Sequence, residues 1–248
     1  MVIVLSYGKL VKFERLINAY RELYEGEVFD YSKGVEVTGE IVSLSKELEE
    51  HYRTKMGSVS DYYSPLMKAI WIFFKSQRRV MEVSNRLFKL EINDSLFSFV
   101  DESSLSEIRF GNRVLDIASE DEILEIKNIF QDALDYIAPC LRELKDARKM
   151  VSEAGDRDLL SVVGGGESLL RAKICFFESV IALLEKNFQR SVQSLEEAAR
   201  FMEEAIVFIN MNLDTPSEVE NAKKTESHLK LLISNYRTAI KTIRSNIT

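Results

Sequence analysis

The sequence predicts an all-α fold, an elongated bundle of long, kinked antiparallel helices assembled as a dimer. Three observations carry this expectation. Ten glycines and three prolines in 248 residues are too few turn formers for a β-sandwich or barrel. Apolar residues recur three, four or seven positions apart over most of the chain, the period of a helix that buries one face. Ile174, Ile181, Phe188, Leu195, Met202 and Ile209 hold a strict seven-residue repeat, the pattern of a long helix packed along its length. A helix of some 45 residues rises about 65–70 Å, whereas a compact chain of this mass has a radius of gyration of roughly 18 Å. Those six positions are the expected bundle seam, and the place where a second chain would pack.

The elements follow in order. Residues 1–8 read as a tail, 9–213 as the helical domain, and 214–248 as a C-terminal helix on or beyond the bundle. From Lys9 to His51 one helix is the simplest reading, through Phe13, Ile17, Tyr20, Tyr24, Tyr31, Val35, Val42 and Leu48; Gly26, Gly34 and Gly39 are where it would kink or break. Gly57 to Asp61 reads as a turn and Ser64-Pro65 as a helix start. The next helix carries Leu66, Ile70, Phe73, Gln77, Met81 and Ser84 on one face, to about Ile92. Asn93-Asp94 and the serines after Asp101 interrupt it, and Leu105, Ile108, Val114 and Leu115 form a further amphipathic stretch. Ser119 and Glu122 have capping-box spacing ahead of Ile123, Ile126, Phe130 and Leu134, and Pro139 kinks that helix without ending its stripe. Gly155-Asp156 through Gly164–Gly166 is the clearest break, read as a flexible connection. Thr215-Pro216 with Glu218 opens the last helix.

Composition sets the class. With 46% hydrophobic and 29% charged residues the chain is expected to fold, and no apolar run approaches the ~20 residues of a membrane span. The N-terminus lacks the pattern of a signal peptide, so a cytoplasmic location is expected. A net charge of −7 disfavours a nucleic-acid partner. His51 and His228 stand in no metal-ligand spacing, and the glycine run lacks the Lys-Ser/Thr of a phosphate loop. Cys140 and Cys175 sit in apolar contexts as small core residues. Neither a catalytic constellation, a metal nor a cofactor is expected.

Charge is unevenly spread. Between Pro65 and Lys89 there are six basic residues and one acidic residue, whereas Glu91 to Asp135 holds twelve acidic residues and three basic ones. Lys68, Lys75, Arg79 and Arg86 lie seven, four and seven residues apart, within about 20° of one line along a helix. The plain reading is the solvated side of an amphipathic helix. The sharper one is a docking surface for anionic lipid, with Arg148, Lys149, Arg157, Arg171 and Lys173 as additional candidates; an acidic or phosphorylated protein is a further possible partner.

Three stretches resemble the BAR domains of amphiphysins, endophilins and endosomal sorting nexins. Lys12-Phe13-Glu14-Arg15-Leu16 through Tyr24 is similar to the family's first long helix. Ser95 to Val100 with Leu105 to Arg109 and Arg113 to Asp116 resembles the second, and Arg171 to Glu178 after the glycine run resembles the opening of the third. The resemblance implies a BAR-like crescent-shaped homo- or heterodimer that binds anionic phospholipid membrane peripherally and senses or scaffolds curvature in endocytic or endosomal trafficking. The alternative is a helical adaptor, of the kind that includes 14-3-3 and tetratricopeptide proteins, binding a peptide or phosphopeptide. Helical hairpins such as Ser168–Asn187 with Gln189–Leu213 would suit it, if the heptad helix breaks near Asn187-Phe188.

Overall fold

The computed structural model describes residues 2–23, 30–55, 60–93, 97–101, 103, 105–211 and 213–247. Among them the chain forms α1 (Val2–Glu22), α2 (Tyr31–Lys55), α3 (Ser60–Lys89), β1 (Phe97–Phe99), β2 (Glu107–Phe110), β3 (Arg113–Asp116), α4 (Glu120–Ile137), α5 (Pro139–Ala154), α6 (Arg157–Leu184), α7 (Phe188–Ile209) and α8 (Pro216–Ser245). Helix dominates, as the composition and periodicity predict. Contacts divide the chain into two compact units, Met1–Asn85 with Cys140–Gly166, and Arg86–Pro139 with Glu167–Thr248.

In the first unit the stretch read as one helix from Lys9 to His51 is two. Leu23 turns back onto the Tyr20 carbonyl, and Asp30 caps α2 by accepting from the Lys33 N–H at 3.0 Å; Gly26 lies outside the described residues. The two helices run antiparallel, with Lys9 paired to Glu47 and Lys12 to Glu40. Leu44, Leu48 and Tyr52 of α2 pack against Phe13, Leu16 and Met67. The three-and-four spacing survives a turn that carries the chain back, so periodicity alone does not expose the break.

Helix α3 begins at Ser60, earlier than the expected start at Ser64-Pro65; Gly57 to Val59, read as a turn, lie outside the described residues. Pro65 is inside the helix, where it leaves the Asp61 carbonyl without its helical N–H. The turn ahead of it is held by tertiary contacts: Tyr63 stacks on Tyr52, and the Ser64 hydroxyl donates to Glu49 at 3.1 Å.

The largest correction concerns the glycine run. Gly164, Gly165 and Gly166 are buried inside α6 and connect nothing flexibly. A Cβ built on Gly166 would stand 2.4 Å from Phe73 Cε2, so this glycine is a contact surface for α3. The true break is Gly155-Asp156: Gly155 has φ +72°, and Asp156 caps α6 by accepting from Leu159 N–H.

In the second unit the amphipathic stretch after Asn93 is a three-stranded antiparallel meander, not helix. Phe97 pairs with Phe110 and Phe99 with Ile108, while Ile108 pairs with Leu115. Gly111 at φ +63° takes the first position of the two-residue hairpin loop, the glycine position of a type II′ turn. Phe97, Phe99, Ile108, Phe110 and Leu115 face a core shared with Phe130 of α4, Phe176 and Phe177 of α6, and Tyr236 of α8. Helix α4 opens after Ser119 as expected, but the capping box does not form. Glu122 accepts instead from Asp116 N–H. At Pro139 the chain passes Ala138 in helical geometry, and Leu144 and Val151 continue the buried stripe.

The heptad repeat does not run along one helix. Helix α6 ends in a Schellman turn: Lys186 sits at φ +58°, its N–H bonds Leu183 O, and Asn187 N–H bonds Ala182 O. Asn187 then caps α7 by accepting from Arg190 N–H. The chain folds back, and Ser179 donates to the Ser191 carbonyl at 3.0 Å across the hairpin. Ile181, Leu195 and Met202 are buried, whereas Ile174, Phe188 and Ile209 are half-buried. Helix α8 opens with the expected capping box of Thr215 and Glu218. It returns antiparallel along α7, with Arg237 paired to Glu203 and Arg244 to Glu196.

Candidate functional site

The basic line on α3 is largely engaged within the chain. Lys75 Nζ lies 2.8 Å from Glu143 of α5 and over the Trp71 ring. Arg79, half-buried, donates to Cys140 Sγ at 3.6 Å. Arg86 lies over the Tyr136 ring of α4. Lys68 is the exposed member of this set in the first unit, and it joins residues that sequence spacing did not connect to it. With Trp71 of α3 and Lys46, Glu49 and Arg53 of α2 it lines a shallow cleft of about 240 Å³.

The additional cations are also dispersed. Lys149 pairs with Glu153 at 3.8 Å, Arg157 is exposed, and Arg148 has interactions of its own. Arg171 is ion-paired to the buried Glu167 and lies over Phe201. Lys173 lies over Phe177. Two of the three stretches that carry the BAR resemblance also fall outside the elements it implies. Phe97–Phe99 and Glu107–Asp116 are strands and a turn, and Arg171 to Glu178 lies well inside α6.

The larger concavity is in the second unit, between β1 and α8. It measures about 340 Å³. Its floor and strand side are Phe97, Ser98, Phe99, Arg109 and Gly111, and its helix side is Asn235, Thr238, Ala239 and Thr242. Thr238, Ala239 and Thr242 lie three, four and seven residues after Asn235, one face of α8. Ala239 and Thr242 are buried and small, which leaves room beside the strand. No acidic residue among the described residues lines the groove, and Arg109 supplies a positive charge.

Sequence reading missed this site because Leu105, Ile108 and Leu115 keep a helix-compatible spacing. Gly111-Asn112 between Ile108-Arg109-Phe110 and Arg113-Val114-Leu115 is the signal that exposes the hairpin.

Both cysteines are buried. Burial pushes the Cys175 thiol up to about 12, with the charges of Glu178 and Glu197 acting in the same direction; its S–H points to Glu197 Oε2 at 3.9 Å. The thiolate is the reactive form. Alkylation of Cys175 in the native chain at pH 8 is therefore expected to be slower than in denaturant by on the order of a thousandfold, read by mass spectrometry of iodoacetamide-treated protein. The thiol stays protonated in the folded chain while its unfolded counterpart ionises above about pH 8.5. Its contribution to stability is therefore complete below that pH and declines as pH rises toward 12.

No helix among the described residues is long and apolar enough to cross a membrane. No protein family, curated protein or solved structure matches the chain.

Proposed function

We propose that the chain is a helical binding module for another protein, an adaptor that holds a peptide segment, in place of a lipid-docking crescent. The observation that supports this reading is the turn at Lys186-Asn187. It folds the heptad repeat into an α6–α7 hairpin, which suits the adaptor reading, and spends Ile181, Leu195 and Met202 inside the chain. The return of α8 then leaves a groove beside an edge strand. A lipid-docking surface is less well supported, because Lys75, Arg79, Arg86 and Arg171 each face a partner in the same chain.

Two measurements on the full chain separate the readings. The adaptor reading expects a displayed library of short random peptides to yield enriched sequences. It also expects the chain to remain in the supernatant with vesicles of phosphatidylcholine and phosphatidylserine. Sedimentation that rises with the phosphatidylserine fraction, weakens in Lys68→Glu, and is accompanied by no peptide enrichment would overturn it in favour of membrane docking.

A further inference from the structure

We propose that the groove between β1 and α8 takes an extended acidic peptide, which adds to β1 as a fourth strand and places a carboxylate on Arg109. This rests on the adaptor reading and specifies its occupant.

The first support is backbone parity. In an antiparallel pair, successive residues alternate between bonding the partner strand and pointing away from it. Val100 N–H bonds the Glu107 carbonyl, and with the register Ser98 opposite Arg109 this makes Ser98 and Val100 the residues whose main chain faces β2. Phe97 and Phe99 therefore direct their N–H and C=O groups to the other side. That side is the sheet edge, because the sheet order is β1-β2-β3 and, among the described residues, β1 pairs with β2 alone. The ladder on the far side of β2 agrees. Ile117 N–H bonds the Ser106 carbonyl, so Ile108 and Phe110 bond β3 while Glu107 and Arg109 are left for β1.

The second support is the placement of the groove. Phe97, Ser98 and Phe99 line it directly, so the groove runs along β1. An extended chain satisfies such a row without any demand on its own sequence, and side-chain preference comes from the walls. Here Asn235 offers an amide from α8, and Thr238, whose hydroxyl donates to the Ser234 carbonyl, offers an acceptor oxygen.

The third support is charge. Arg109 is exposed, lines the groove, and has no partner among the described residues. A guanidinium bordering a groove with no carboxylate among its described lining residues selects an acidic residue over a basic one.

The test uses the full chain and peptides enriched from the displayed random library. The enriched peptides are expected to share an Asp or Glu, and a proline scan is expected to abolish binding at alternate positions. Fluorescence anisotropy is expected to show Arg109→Gln weakening them by about tenfold or more, with an unchanged melting curve because the side chain is exposed. Thr238→Trp, which fills the groove from an exposed position, is expected to abolish binding. Amide exchange at Phe97 and Phe99 should slow when the peptide is bound. Enriched peptides that ignore Arg109→Gln and Thr238→Trp, or that protect another element, would overturn the strand addition and leave the adaptor reading standing. Failure to enrich any peptide would overturn both.

Discussion

Phe130→Ala is expected to lower the unfolding free energy by about 3–5 kcal/mol. Phe130 is fully buried and lies where three elements of the second unit converge. Its ring centroid is 5.6 Å from Phe110 of β2 and 5.3 Å from Phe177 of α6, the latter edge-to-face. The contacts continue through Phe176, which stacks on Tyr236 at 5.4 Å and lies 5.7 Å from Phe97. Truncation removes one buried ring and two aromatic pairs, each worth about 0.5–1.5 kcal/mol beyond the area it covers. Urea denaturation followed by circular dichroism reads the loss, with Leu124→Ala on the exposed face of α4 as a control expected within about 0.5 kcal/mol of the parent. A loss below about 1 kcal/mol in Phe130→Ala would contradict the packing of the sheet against α4 and α6.

Gly166→Ala is expected to destabilise the chain by about 1–2 kcal/mol, against the direction of helix propensity. In an open helix this change gains up to about 1 kcal/mol. Here the new methyl would meet Phe73 Cε2 at 2.4 Å, Cδ2 at 3.1 Å and Gln77 Nε2 at 3.3 Å. Phe73 cannot swing away freely, because it is buried and holds Phe74 edge-on at 5.1 Å. Overpacking of this kind costs about 1–3 kcal/mol and outweighs the propensity gain. Gly8→Ala on α1, where nothing lies within 4 Å of the added methyl, is the matched control and is expected to gain stability. If both variants gain alike in thermal and urea melts, α6 does not approach α3 at Gly166.

The dominant helical class, the cap at Thr215, the break at Gly155-Asp156 and the buried stripe through Leu144 and Val151 were legible because each depends on local chemistry. What was not legible depends on direction. Lys186 adopts a left-handed backbone with a side chain that gives no warning of it, so a seven-residue repeat from Ile174 to Ile209 reads the same whether the chain continues or turns back. The glycine run was misread for the complementary reason: a missing side chain signifies flexibility or close approach, and only the ring of Phe73 decides between them. The basic line on α3 was correctly placed on one helix, but the positions of Glu143, Cys140 and Tyr136 opposite it are tertiary facts. The groove beside β1 was hidden twice, by the helix-like spacing of its strands and by the distance in sequence between Arg109 and Thr238.

Each compact unit is made from two separated stretches of chain, Met1–Asn85 with Cys140–Gly166 and Arg86–Pro139 with Glu167–Thr248. During synthesis the first stretch emerges long before its complement, and the residues between must leave the ribosome before the first unit can close. Closing a long intervening loop adds only a logarithmic entropy cost, so the delay is one of timing more than of free energy. A chain that stops before Gly166 completes neither unit. No single cut of the sequence can release one of them whole, so inheritance and exchange by simple end-to-end fusion would have to carry both together.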